Sequence, residues 1–211
     1  AIEWIVDSIY QCLDEAEKHG IILGLENHWG ITTRAEDMLK ILLGRELNRE
    51  ESDRFADRKE EIYRELIAPH LPDHVVPGLF DFLRELSESG IAAALATSGP
   101  MENVDLVLDR LEIRPYFRAV ITGNQVSRGK PHPEAFLLAA SRLGQAPESC
   151  VVFEDSISGI RAALNGGCFC VALSTTHPVS EIEPENPHLI IADFTELSLS
   201  CIQNSVNGNQ Q

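Results

Sequence analysis

Glu154 and Asp155 follow directly on the apolar run Val151-Val152-Phe153 and precede Ser156-Ile157-Ser158-Gly159. Two adjacent carboxylates in an apolar setting cannot both stay ionised without a cation. Oxygen donors with no Cys or His beside them suit a hard ion such as Mg²⁺. The plainer alternative is a strand-end acid that caps the next helix. Two other stretches offer complementary chemistry. Thr97-Ser98 closes an apolar run and supplies a hydroxyl with a series of backbone N–H groups, a common way to hold a phosphate oxygen. Lys130, in Gly129-Lys130-Pro131-His132-Pro133, brings a point charge on a loop stiffened by two prolines. A hydroxyl, an ammonium and metal-binding carboxylates are the groups that stabilise a phosphoryl group in transfer.

Those residues need elements to position them. From Val76 onward apolar runs alternate with amphipathic ones, predicting helices over 79–89, 104–111 and 133–143 and one that stops at Gly166-Gly167. Strands are predicted over 91–96, 119–121, 151–153, 169–173 and 189–191. This rhythm gives an α/β fold, a Rossmann-like parallel sheet with helices on both faces. Ligands in such sheets gather at the carboxyl ends of the strands, where Thr97 and Glu154-Asp155 fall. Residues 1–43 read as a helix–strand–helix segment, with 21–25 a buried-type strand. Residues 44–75 are highly charged around a narrow stripe of Phe55, Ile62, Tyr63, Leu66 and Ile67, as in a solvated helical hairpin or lid. Residues 76–199 form the core, and 200–211 a disordered tail.

Bulk composition narrows the function. With 33 acidic and 17 basic residues the formal charge is −16, which argues against nucleic acid or an anionic membrane as partner. A small anionic substrate then needs a local cation to overcome the global field. No apolar run approaches a membrane span and no signal-peptide pattern is present. Five cysteines without CxxC spacing point to reduced thiols in a cytoplasmic protein. Cys168-Phe169-Cys170 should put both thiols on one face of a strand and Phe169 on the other.

Three stretches, in this order, resemble motifs II, III and IV of the haloacid dehalogenase (HAD) superfamily. They are Ala94-Leu95-Ala96-Thr97-Ser98, Gly129-Lys130-Pro131-His132-Pro133-Glu134-Ala135-Phe136 and Val152-Phe153-Glu154-Asp155-Ser156-Ile157-Ser158-Gly159-Ile160. The likeness is to the beta-phosphoglucomutase-like branch of phosphatases and phosphomutases, over about residues 44–199. It implies that Thr97 and Ser98 bind the phosphoryl group, that Lys130 balances its charge, and that Glu154 and Asp155 hold Mg²⁺. The substrate it implies is a small phosphorylated metabolite of the sugar phosphate class. The segment with Arg58-Lys59 and Tyr63 resembles the C-terminal part of the family's helical cap, and Val75-Val76-Pro77-Gly78 the return to the core. Arg34, in Thr32-Thr33-Arg34-Ala35, is either a cap residue that reaches a substrate phosphate or, as the plainer reading, a solvated arginine at a helix start.

The family's first motif, Asp-x-Asp-Gly, carries the nucleophile and the general acid–base. No Asp-x-Asp occurs in these 211 residues. Ile5-Val6-Asp7-Ser8 is similar to the residues just downstream of that motif, a register that sets the second aspartate at Ile2. A catalytically inactive HAD-like domain that binds a phosphorylated ligand or a protein partner is therefore the alternative. The stretch from Glu15 to Thr33, with Glu26-Asn27-His28-Trp29-Gly30, resembles one α/β unit of the sugar phosphate isomerase/epimerase family, whose strand-end Glu, here Glu26, binds a divalent metal. One unit cannot close a barrel, so isomerase activity is the least favoured reading. If strand 21–25 filled the place of the HAD central strand, Glu26 would stand in for the nucleophile.

Overall fold

The computed structural model describes residues 48–200 and 202. The chain divides between Tyr63 and Arg64 into two units. Helix α1 (Arg49–Ile67) runs across that boundary. It opens with a capping box: Asn48 Oδ1 accepts from Glu51 N at 2.9 Å and Glu51 Oε2 accepts from Asn48 N at 3.2 Å. Neither Gly nor Pro interrupts it before Pro69, so the described part of the expected hairpin is one continuous helix.

The second unit continues with α2 (Leu79–Glu88), β1 (Ala93–Ala96), α3 (Met101–Arg110), β2 (Phe117–Ile121) and α4 (Glu134–Leu143). It goes on through β3 (Val151–Glu154), α5 (Ile157–Asn165), β4 (Phe169–Leu173), the single turn α6 (Val179–Ile182) and β5 (Leu189–Ile191). All strand pairs are parallel, in a two-stranded sheet β1-β2 and a three-stranded sheet β3-β4-β5. Among the described residues no ladder joins β1 to β3. The proposed strand over 21–25 lies outside the described residues, as do Glu26 and Arg34. Of the tail expected over 200–211, Ser200 and Ile202 are helical and Ile202 is buried with Phe82 and Leu199; the other residues lie outside the described ones.

From Val76 on, the expected elements are present, with shifted ends. The strand expected from 91 starts at Ala93, because Ile91 N is used to close α2 on Leu86 O at 2.9 Å. Gly90 makes that turn at φ +70°, a conformation costly for any residue with a Cβ. The helix expected from 104 starts at Met101, since Pro100 at its N-cap needs no N–H partner.

The three-stranded sheet is covered on both sides. One face packs Cys170 and Ala172 of β4, and Cys168 just before it, against Ile160 and Ala163 of α5 and Phe136 of α4. The other packs Phe169, Val171 and Leu173 with Ile191 of β5. The two thiols thus share one face and Phe169 the other, as strand alternation requires. On the second face Phe82 of α2, Phe153 of β3 and Phe194 meet with ring centroids 5.2–5.4 Å apart. Leu83, Val104, Leu108 and Ile113 bind α2 and α3 to the outer side of β1-β2.

Candidate active site

Lys130 and Glu154 meet in the interior. Lys130 Nζ donates to Glu154 Oε1, with 13% and 7% of the two side chains exposed. The pair is formed by two different elements. Glu154 is the last residue of β3, where its carboxylate leaves the strand at the carboxyl end. Lys130 comes from the loop before α4, and hydrogen bonds on two sides hold that loop. Glu134, the first residue of α4, accepts from Ser127 N at 2.8 Å, from Ser127 Oγ at 2.8 Å and from Arg128 N at 3.0 Å. The Ser127 bonds, helped by Arg128, draw the Glu134 carboxyl below the usual carboxylate range. From the other side Asn165 Nδ2 donates to Pro131 O at 3.2 Å. Lys130 Nζ also lies 4.9 Å over the Phe136 ring, whose face favours a cation.

The second carboxylate oxygen of Glu154 is taken by Ser156, from Oγ at 3.0 Å and from N at 3.2 Å. Ser156 caps α5, its Oγ accepting from Gly159 N at 3.0 Å. The helix cap is thus Ser156 and not the strand-end acid, so the plainer reading of Glu154-Asp155 does not apply. Gly159 is required here: a Cβ on it would sit 2.0–2.2 Å from the Glu154 carboxylate. Asp155 is exposed, and its Oδ2 accepts from Thr176 Oγ1 at 2.5 Å. Among the described residues its other oxygen carries no hydrogen bond.

Thr97 stands at the end of β1, half-buried, and Ser98 is exposed beside it. Thr97 N continues the ladder onto Ile121 O at 2.9 Å, and its Oγ1 accepts from Gly99 N at 3.1 Å. Ser98 O fits so closely over Gly123 that a Cβ there would be 2.4 Å from it. Ala96, next to Thr97, packs on the cluster that contains Phe136, beneath Lys130. No hydrogen bond links Thr97 or Ser98 to Lys130, Glu154 or Asp155 among the described residues. The structure therefore joins Lys130, Glu154 and Ser156 directly, while Thr97 shares with them only the packing of its neighbour Ala96 on the cluster of Phe136. Thr176 and Asn165 are partners that no sequence motif announces, since both act across 21 residues or more.

A sequence model described as "haloacid dehalogenase-like hydrolase" matches residues 6–167. The chain belongs to the haloacid dehalogenase-like hydrolases. Validoxylamine A 7′-phosphate phosphatase of Streptomyces hygroscopicus subsp. limoneus is 35% identical over 130 residues, 61% of this chain and 60% of that protein. Beta-phosphoglucomutase of Bacillus subtilis (strain 168) is 30% identical over 152 residues, 72% of this chain and 64% of that one. The chain thus spans less than two thirds of either relative's length. A HAD hydrolase of family IA, variant 3, from Entamoeba histolytica superposes with a TM-score of 0.77 at 24% identity, over 91% of this chain and 87% of that one. At that identity the likeness speaks for the fold alone. The HAD-like match starts at residue 6, so the resemblance of residues 1–43 to an isomerase/epimerase unit finds no support.

The described residues suit the Mg²⁺ that the family implies. Among the described residues Lys130 and Glu154 neutralise each other, which leaves Asp155 with a negative charge that would repel a phosphate dianion. A divalent cation on Asp155 would reverse that sign. No group of three or more His, Cys, Asp or Glu gathers among the described residues. A cation that keeps several waters and takes one or two carboxylates plus a substrate phosphate, as Mg²⁺ does, fits such a sparse donor set.

Proposed function

We propose that this chain acts as a phosphatase or phosphomutase on a small phosphorylated metabolite of the sugar phosphate class, with Mg²⁺. The observation that carries this reading is the buried Lys130–Glu154 pair next to exposed Asp155 at the carboxyl end of β3. Lys130 balances charge on the phosphoryl oxygens, and the pair with Glu154 holds its ammonium at one place. Thr97 and Ser98 receive a phosphoryl oxygen through hydroxyl and backbone N–H groups. Asp155 holds Mg²⁺ and Glu154 supports it from behind through Lys130 and Ser156. Bound there, Mg²⁺ supplies Lewis-acid stabilisation of the transferring group. The charge of −16 fits a small-molecule substrate and opposes nucleic acid. Free Cys150, Cys168 and Cys170 fit the reducing conditions of a cytoplasm.

The test is turnover of p-nitrophenyl phosphate and of glucose 1-phosphate by the chain, with and without Mg²⁺. Mg²⁺-dependent turnover abolished by Asp155→Asn upholds the reading. The alternative is a HAD-like domain that binds a phosphorylated ligand or a protein partner without turning it over. A folded chain that binds inorganic phosphate and Mg²⁺ without turnover would make it a catalytically inactive binding domain.

A further inference from the structure

Arg64 lies in the last turn of α1 and is half-buried. Its Nη1 donates to Asn103 Oδ1 at 2.9 Å. In a chain with 33 acids for 17 bases, Arg84, Arg114 and Arg161 each hold a carboxylate at 2.6 Å. Arg64 has no carboxylate partner among the described residues and is held by a neutral amide instead. A basic residue in a helix's last turn suits the macrodipole, but that does not call for the amide tether.

The tether leads to the phosphoryl-binding loop. Asn103 belongs to the first turn of α3, the helix that follows Thr97-Ser98-Gly99-Pro100. A Cβ on Gly99 would lie 3.5 Å from Thr97 Oγ1 and 3.9 Å from Asn103 Nδ2, so the Thr97 hydroxyl and the Asn103 amide flank one small residue. A guanidinium fixed by one N–H keeps its others for a planar anion, which it can meet with two parallel bonds. Among the described residues no ion pair engages its charge, whereas that of Lys130 is paired with Glu154.

We propose that Arg64, positioned by Asn103, binds a second anionic group, a carboxylate or a further phosphate, on the phosphorylated substrate. The inference rests on the phosphoryl-site reading above and narrows its substrate class to doubly anionic molecules.

Turnover of p-nitrophenyl phosphate, 3-phosphoglycerate and fructose 1,6-bisphosphate is compared for the chain, Arg64→Ala, Arg64→Lys and Asn103→Ala, all with Mg²⁺. Calorimetric binding of the last two compounds is measured in parallel. Arg64→Ala should raise KM for a doubly anionic compound at least tenfold more than for p-nitrophenyl phosphate, with kcat less affected. Arg64→Lys should recover part of that loss and Asn103→Ala should show an intermediate one. Whether 3-phosphoglycerate or the bisphosphate responds separates carboxylate from phosphate. Equal effects on all three compounds would overturn the proposal and leave the phosphatase reading standing. If nothing is turned over, the phosphatase reading fails and binding decides. Loss of calorimetric affinity on Arg64→Ala upholds the role of Arg64, and unchanged affinity overturns it.

Discussion

Glu154 is where the residue scale decides most. One carboxylate oxygen serves Lys130, the other Ser156, and Gly159 leaves room for both. Gly159→Ala should push the carboxylate off Lys130, costing about 1–3 kcal/mol by overpacking. Denaturant unfolding reads this, and a stability equal to the parent would show that the site yields without cost. Lys130→Ala strands a buried carboxylate and should cost about 3 kcal/mol or more. Lys130→Arg keeps the charge but changes its reach, and should lower phosphatase turnover ~10²-fold with a smaller stability loss. The thiols on the neighbouring strand behave oppositely to a reactive cysteine. Burial pushes Cys168 up to about 11 and Cys170 up to about 12. Iodoacetamide at pH 8 should therefore label half-buried Cys150 well before either of them, as peptide mapping would report.

At the scale of elements, two acids fasten the parts that carry the site. Glu134 ties the Lys130 loop to the start of α4, and Glu185 takes Arg161 of α5 in two bonds of 2.6 Å. Their hydrogen bonds, from Ser127 and from Arg161 respectively, lower both carboxyl values. A carboxyl lowered in the folded chain adds stability above its unfolded value of about 4.3, and that stability is lost as pH falls through the lower folded value. Acid should thus weaken the fold below about pH 4.3, and Glu185→Gln should flatten that slope in denaturant midpoints taken from pH 5 to 3. An unchanged slope would assign the acid sensitivity elsewhere.

For the whole molecule the dominant quantity is charge. A field from −16 opposes the approach of any phosphate ester, and salt shortens its reach from ~30 Å at 0.01 M to ~8 Å at 0.15 M. Raising NaCl over that range should lower KM for an anionic substrate. A rise in KM would mean that local positive charge, with Arg64 as its proposed source, outweighs the global field. Buried apolar packing supports the Lys130 loop from the side of Phe136. Ile160 and Ile182, both fully buried, share one cluster with Phe136, over whose ring Lys130 lies.

Local chemistry was legible in the residues themselves. The apolar run 151–153 had to be a covered strand, Gly166-Gly167 had to stop a helix, and Cys168-Phe169-Cys170 had to alternate, because each depends on neighbours within a few positions. The two polar strand-end stretches and the Lys130 loop were legible for the same reason, and their order pointed to the family. Partnership was not. That Lys130 would spend its charge on Glu154, that Asp155 would rest on Thr176, and that Arg64 would be held by Asn103 depends on contacts across 21 to 39 residues. Such contacts follow from how helices pack on parallel strands, which fixes direction and depth for every side chain at once. Residue types determined which groups could bind a phosphoryl ester; only the packed fold decided which stand opposite one another and which charges remain for a ligand.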